Sequence, residues 1–261
     1  MAAPKIGGSS SSRVIAVRIN TLIILTSLLV ALVCFWNRKD VPLDGVLHPG
    51  LADDPRQTST RARPFDASFN DVDYRVAPEF DYELIGLVVS YRHHDGESRM
   101  HRRAQDHLNM LDVCVIWGDN TRHPNINELT FFNGIFTCNV STRDQAAWQA
   151  FDIFKLSNNH LISDKPAIRD RVADIAIGDQ IRVRGKLASY TGPTGTRGTS
   201  TTRMDTGDGA CETIYVESFE ILHKGRSPWV QGLYASMAVF LLGVVVHFRR
   251  PYRPYRGQQS S

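Results

Sequence analysis

The sequence predicts a mainly β domain with one or two helices, set between two transmembrane α-helices. Three observations carry that prediction. Two long runs lack any charged residue, several strand-like segments lie between them, and the stretch from Ile177 to Leu222 reads as two strands bracketing a polar loop. The chain has 261 residues, 42% apolar and 22% charged, an ordinary balance for a folded protein. The average hides segregation. Ile19–Trp36 and Trp229–Phe248 contain no Asp, Glu, Lys or Arg, and all 27 acidic residues fall between Asn37 and Pro228. With 23 basic residues against those 27, the central region is −4 although the chain is +3, so the basic character belongs to the tails.

About 20 apolar residues rising 1.5 Å each cross a hydrocarbon core of roughly 30 Å. The second run has that length, and the first reaches it with its flanks. Trp36 and Trp229 stand at the ends facing the central region, where interfacial tryptophans are expected. Four arginines (Arg249, Arg250, Arg253, Arg256) follow the second run with no acid among them, which places that tail in the cytoplasm. Two spans bring the N-terminus to the same side, in agreement with Lys5, Arg13 and Arg18. Val33 before Cys34 does not suit a lipoprotein signal and no A-x-A-type site follows, so an uncleaved anchor is expected. Gly232 and Ser236 have the spacing that lets two spans approach closely. The expected organisation is a cytoplasmic N-terminus (1–18), transmembrane helix 1 (19–37), an extended linker (38–80), an extracytoplasmic β domain (81–224), transmembrane helix 2 (229–248) and a basic cytoplasmic tail (249–261).

Within the central region, residues 38–80 are rich in Pro and Asp with no sustained period. Strands are expected at 82–91, at 108–117 and at 129–138, where Gly134 is a candidate bulge. Residues 142–154 bring Ala147, Trp148, Phe151 and Phe154 onto one face of an amphipathic helix. Ser163 could cap a shorter helix from Pro166 to about Val172. Two more strands cover 180–190 and 212–222. Three strands, a helix and two strands fit an OB-like five-stranded barrel, in which Gly185 permits the sharp coiling. A β-sandwich is the alternative.

Three blocks carry a resemblance: SNNHLI (157–162), AIGDQIRVRGKL (176–187) and RGTSTTRMDTGDGACETIYVE (197–217), with WGDN (117–120) ahead of them. Together they resemble a set of uncharacterised bacterial proteins that share an NHLI element, a GDxVxVxG strand and a TRxDTGxGACExxYVE block. The resemblance spans about Leu108 to Leu222 and implies an OB-like extracytoplasmic or membrane-linked domain. It implies no reaction and no catalytic residues, and the two spans are not part of it.

The loop 191–210 is the leading ligand-binding candidate because OB-type folds place a ligand loop between their last two strands. It offers Arg197, Ser200, Thr202, Arg203, Asp205 and Asp208 to a glycan, an anionic headgroup or a peptide. Self-satisfied turns are the competing reading. His160 joins the set as a candidate base, with a satisfied structural role as its alternative. His93, His94 and His101 are weak metal candidates whose spacing matches no helical zinc pair. No cofactor or metal is required by the pattern. Cys114–Cys138 is the expected disulfide, since strands two and three should pair, and it leaves Cys211 without a disulfide partner. A catalytic cysteine needs a histidine partner that sequence cannot show. Nucleic acid is not an expected partner, because phosphate neutralisation needs Lys and Arg and the domain is acidic. The bilayer is one expected partner, an envelope protein or glycan another, and the two spans offer a route to a membrane complex.

The leading expectation is a two-pass protein of the bacterial plasma (inner) membrane that presents a periplasmic or extracellular binding or assembly domain. The alternative is a metal- or cysteine-dependent envelope enzyme. Topology is checked by applying a membrane-impermeant thiol reagent to intact cells. Cys114 and Cys138 should label only after reduction, whereas labelling that requires opening the membrane would put the domain in the cytoplasm.

Overall fold

A computed structural model describes residues 10–42, 45–94, 103, 105–134, 136–202 and 211–249. In chain order its regular elements are α1 (Ser10–Asn37), β1 (Arg56–Ser59), β2 (Phe65–Phe69), β3 (Val72–His93), β4 (Asn109–Ile116), β5 (Thr130–Asn133) and β6 (Cys138–Ser141). Then come α2 (Gln145–Ala150), β7 (Leu156–Ile162), α3 (Pro166–Ala173), β8 (Gln180–Gly192), β9 (Gly195–Arg197), β10 (Glu212–His223) and α4 (Pro228–Arg249). Two compact units result, one built from the chain ends up to Arg38 and from Ser227, the other from Lys39–Arg226.

In the first unit, α1 and α4 are each long and apolar enough to cross a membrane. They pack against one another. Gly232 allows close approach, since a Cβ there would lie 2.9 Å from Cys34 Sγ, and Ser236 is buried. Asn20 Nδ2 donates to the Gly243 carbonyl at 3.1 Å, tying the two helices with a polar contact. The remaining circumference is apolar and exposed, with Leu22, Leu29, Leu241 and Leu242 among its side chains.

The second unit is built on an eight-stranded mixed sheet in the order β1-β3-β4-β7-β10-β8-β9, with β2 also paired to β3. The long strand β3 pairs with β1, β2, β4 and β8, and divides its length between the last two. Arg75–Leu87 pairs with β8, and Leu87–His93 pairs with β4. Every pairing in the sheet is antiparallel except β7 with β10. Alternation sends Leu84, Val88, Val113, Val115, Leu161, Ile181, Val183, Ile214 and Val216 to one face, where Ile168 and Val172 of α3 join them in a buried cluster. Gly185 has no room for a Cβ because the Tyr215 carbonyl of β10 abuts it.

Three expectations change. The segment 38–80 is not an extended linker: it holds a 3-10 turn at Pro49–Ala52, strands β1 and β2, and the first part of β3. Its polar residues sit on edge strands, where alternation is weak. The expected strand at 129–138 is a separate two-stranded hairpin, β5 with β6, reversed by a turn in which Gly134 N–H donates to Thr137 O at 2.9 Å. Gly134 is therefore part of a turn and not a bulge. The third long strand is instead β7, LSNNHLI, so the helix between the third and fourth long strands is α3.

The helix expected at 142–154 shortens to α2 for a local reason. Asp144 caps it through Ala146 N–H and Ala147 N–H, but Asp152 caps a new 3-10 turn at Ile153–Lys155. Asn120 clamps Asp152, donating to its carbonyl at 2.7 Å and accepting its N–H at 2.9 Å, so that backbone cannot continue a helix. Ala147 and Phe151 are buried as expected, whereas Trp148 and Phe154 are 47% and 41% exposed.

The β5–β6 hairpin lies over the outer face of β4, where Phe131, Ala147 and Phe151 cluster with Cys114 and Ile116. Cys114 and Cys138 form the expected disulfide, with a Cα–Cα distance of 5.7 Å. The hairpin, rather than strand pairing within one sheet, brings them together.

Candidate functional site

The site grows from one residue. Asp112 faces outward from the middle of β4 and is completely buried. A carboxylate taken from water must be paired and hydrogen-bonded. Register supplies the first partner, because Asp112 stands opposite His160 of β7. His160 Nδ1 lies 2.5 Å from Asp112 Oδ1, and Asn109 Nδ2 donates to the same oxygen at 3.1 Å. His94, just past the end of β3, places Nε2 2.7 Å from Asp112 Oδ2. Burial alone pushes the Asp112 carboxyl upward, but hydrogen bonds from His160 and His94 hold it well below the usual carboxylate range.

His160 reaches a second group. Cys211, the residue immediately before β10, favours the charged form of His160. With Nδ1 held by Asp112, Nε2 is the nitrogen left for the sulfur. Burial disfavours the imidazolium, yet the bond with Asp112 and the influence of Cys211 outweigh it and raise its pKa from 6.5 to about 10. Parallel pairing of Asn159 with Glu212 brings Asn158 beside Cys211, and Asn158 Nδ2 donates to Cys211 Sγ at 3.3 Å. Asp112 on β4, His160 on β7 and Cys211 just before β10 thus make up a candidate carboxylate–imidazole–thiol relay, with the Asn158 amide beside the sulfur.

Phe136, in the β5–β6 turn, covers this relay. Its ring centroid is 5.9 Å from His160 and 6.2 Å from His94. Arg197 sits over the same ring at 5.2 Å, and its Nε is 2.8 Å from the buried Asp106, which also accepts from Tyr190 OH at 2.9 Å. Arg197 is therefore beside the relay, anchored through Asp106.

The candidates from sequence divide clearly. His160 and His94 converge on Asp112, and Arg197 borders the same site. His93 instead packs edge-on against Tyr91, with centroids 5.3 Å apart. Ser200 serves its own loop: its N–H donates to Cys211 O at 2.8 Å, and its hydroxyl donates to Thr202 O at 3.0 Å. Thr202 is exposed. Arg203, Asp205, Asp208 and His101 lie outside the described residues. Among the described residues, no group of three or more His, Cys, Asp or Glu side chains is arranged to hold a metal ion. Sequence reasoning missed Asp112, Asn158, Phe136 and the role of Cys211. The one available signal was Asp112 itself, an acid in the otherwise apolar run LNMLDVCVIW.

No family model matches this chain, and no curated protein or solved structure matches it.

The relay gives the domain a defined pH response. The lowered Asp112 pKa contributes stability above its unfolded value, about 3.9, which is lost as pH falls. The raised His160 pKa contributes stability that is complete below 6.5 and fades as pH climbs toward about 10. The melting temperature should therefore fall between pH 6.5 and pH 10, by about 2–4 °C for each kcal/mol lost. His160→Gln should flatten that decline. A wild-type melting temperature that is constant over this range would contradict the coupling.

Proposed function

We propose that this chain is a membrane-anchored, thiol-dependent enzyme of the cell envelope that transfers or hydrolyses acyl groups. One observation carries the reading: His160 links a buried carboxylate to a thiol, with an amide donor beside the sulfur. Cys211 is the nucleophile, His160 the proton carrier and Asp112 the residue that orients the imidazole. The sulfur attacks a carbonyl carbon, a thioester forms, and His160 delivers a proton to the departing alcohol or amine. Water or an acceptor then cleaves the thioester, and the thiol is restored. Asn158 Nδ2, within hydrogen-bond reach of the sulfur, is placed to donate to the oxyanion that develops. An imidazolium beside a cysteine sulfur is the environment in which attacking thiolates are stabilised.

The surroundings support the same proposal. The pairings β3–β4–β7–β10–β8 return to β3, with β7–β10 parallel, as in a five-stranded OB-like barrel. The resemblance over residues 108–222 favours the same barrel. The Cys114–Cys138 disulfide favours an oxidising compartment, hence a domain outside the cytoplasm between two bilayer-spanning helices with both termini inside. A non-enzymatic binding or assembly role through the 191–210 loop has less support, because Thr199 and Ser200 use their hydroxyls within the loop and its flanking strand.

The test uses the purified full-length protein and an activated aryl ester. An acyl group should appear on Cys211 by peptide-resolved mass spectrometry. His160→Gln should slow its formation by about 10²-fold or more, the usual size of a positioned proton carrier's effect. Asp112→Asn should slow it less. Equal acylation of Cys211 in wild type and His160→Gln would remove the proposed mechanism.

A further inference from the structure

The β5–β6 turn makes contacts that a structural hairpin does not need. The Phe136 carbonyl accepts from Asn158 Nδ2 at 3.1 Å and from Cys211 Sγ at 3.5 Å. That is the position a substrate carbonyl takes when a thiol attacks its carbon and an amide binds its oxygen. The Phe136 ring meanwhile lies against both imidazoles. Phe136 also has φ +56°, a left-handed backbone conformation that costs a bulky L-residue about 1–2 kcal/mol. Surrounding structure must hold such a conformation in place.

Arg92 Nη1 donates to Gly134 O at 3.2 Å, Ser90 Oγ donates to Asn133 Oδ1 at 2.6 Å, and among the described residues the hairpin pairs with no strand of the main sheet. Only Cys114–Cys138 fixes it covalently, two residues from Phe136. Cys114 is fully buried while Cys138 is partly exposed, so an incoming thiolate meets the Cys138 sulfur first.

We propose that the β5–β6 turn is a built-in mimic of the substrate, a peptide-type carbonyl next to an aromatic side chain, seated in the Cys211 site and latched there by the Cys114–Cys138 disulfide. The proposal rests on Cys211 being the nucleophile. Opening is a two-electron exchange with an external dithiol. Its thiolate bonds to Cys138 sulfur and releases Cys114 as thiolate, which takes up a proton; the second thiol then resolves the mixed disulfide, leaving Cys138 as a thiol and the reductant as a disulfide. The freed hairpin moves Phe136 away, and an aromatic peptide substrate takes its place.

The experiment measures the modification rate of Cys211 by a maleimide in the full-length protein, resolved by peptide mass spectrometry. Brief treatment with a dithiol should raise that rate about tenfold or more, since access limits thiol reactions. The Cys114→Ser/Cys138→Ser double variant should match it without reductant. Phe136→Ala should do so with the disulfide intact, which keeps the test valid if the double variant fails to fold. Equal rates in oxidised and reduced protein would overturn the latch, as would an acceleration accompanied by loss of the near-ultraviolet circular dichroism of the fold. Fast modification in the oxidised protein would remove the latch and leave the nucleophile standing. No modification in any state would remove the nucleophile as well.

Discussion

The organising constraint of the domain is the burial of one carboxylate. An unpaired ion at the position of Asp112 would cost several kcal/mol. The structure meets that cost with donors from three places: His94 beyond β3, Asn109 on β4 itself and His160 on β7. Those bonds do more than satisfy a charge. They fix the end of the longest strand, the register of β4 against β7 and the orientation of one imidazole. Because β7 is also the parallel partner of β10, the same register carries Cys211 to the imidazole. Strand register and the candidate site share a single set of hydrogen bonds.

A second carboxylate plays a purely architectural part. Asp179 is buried at the entry of β8, accepts Ala176 N–H and Gly225 N–H at 2.8 Å each, and meets Lys224 Nζ at 2.9 Å. It joins the start of β8 to the chain just past β10, and Gly178 before it has φ +89°, which glycine adopts without strain. Asp112 and Asp179 are alike in burial. They differ in their partners: Asp179 binds backbone N–H groups and an ammonium, whereas Asp112 binds two imidazoles, one of them beside a thiol. That difference in partners separates a structural turn from a candidate reaction centre.

Much of this frame was legible in the sequence. Charge-free runs announced α1 and α4, alternating apolar residues announced β4, β8 and β10, and Gly178-Asp179 announced the turn into β8. The strand β7 was not legible, because Ser157, Asn158, Asn159 and His160 put polar groups on both of its faces. Asn159 is held there by hydrogen bonds to Ser157 Oγ and Val113 O, so its burial leaves no apolar period to detect. The disulfide was anticipated through a strand pairing that does not exist. The hairpin that replaces it depends on a turn in which Gly134 N–H meets Thr137 O, a local event within an apolar pattern. The relay escaped for a different reason. Its members stand at positions 112, 160 and 211, and only the order of strands in the sheet makes them neighbours. Residue spacing holds no trace of that order.

The coupling of His160 to Asp112 and Cys211 is the claim on which site and function both stand. Nuclear magnetic resonance of the protein with isotope-labelled histidine measures it directly. The His160 imidazole should stay doubly protonated through neutral pH and titrate near pH 10, and Asp112→Asn should bring that midpoint down. A His160 midpoint near 6.5, unmoved by Asp112→Asn, would contradict the account.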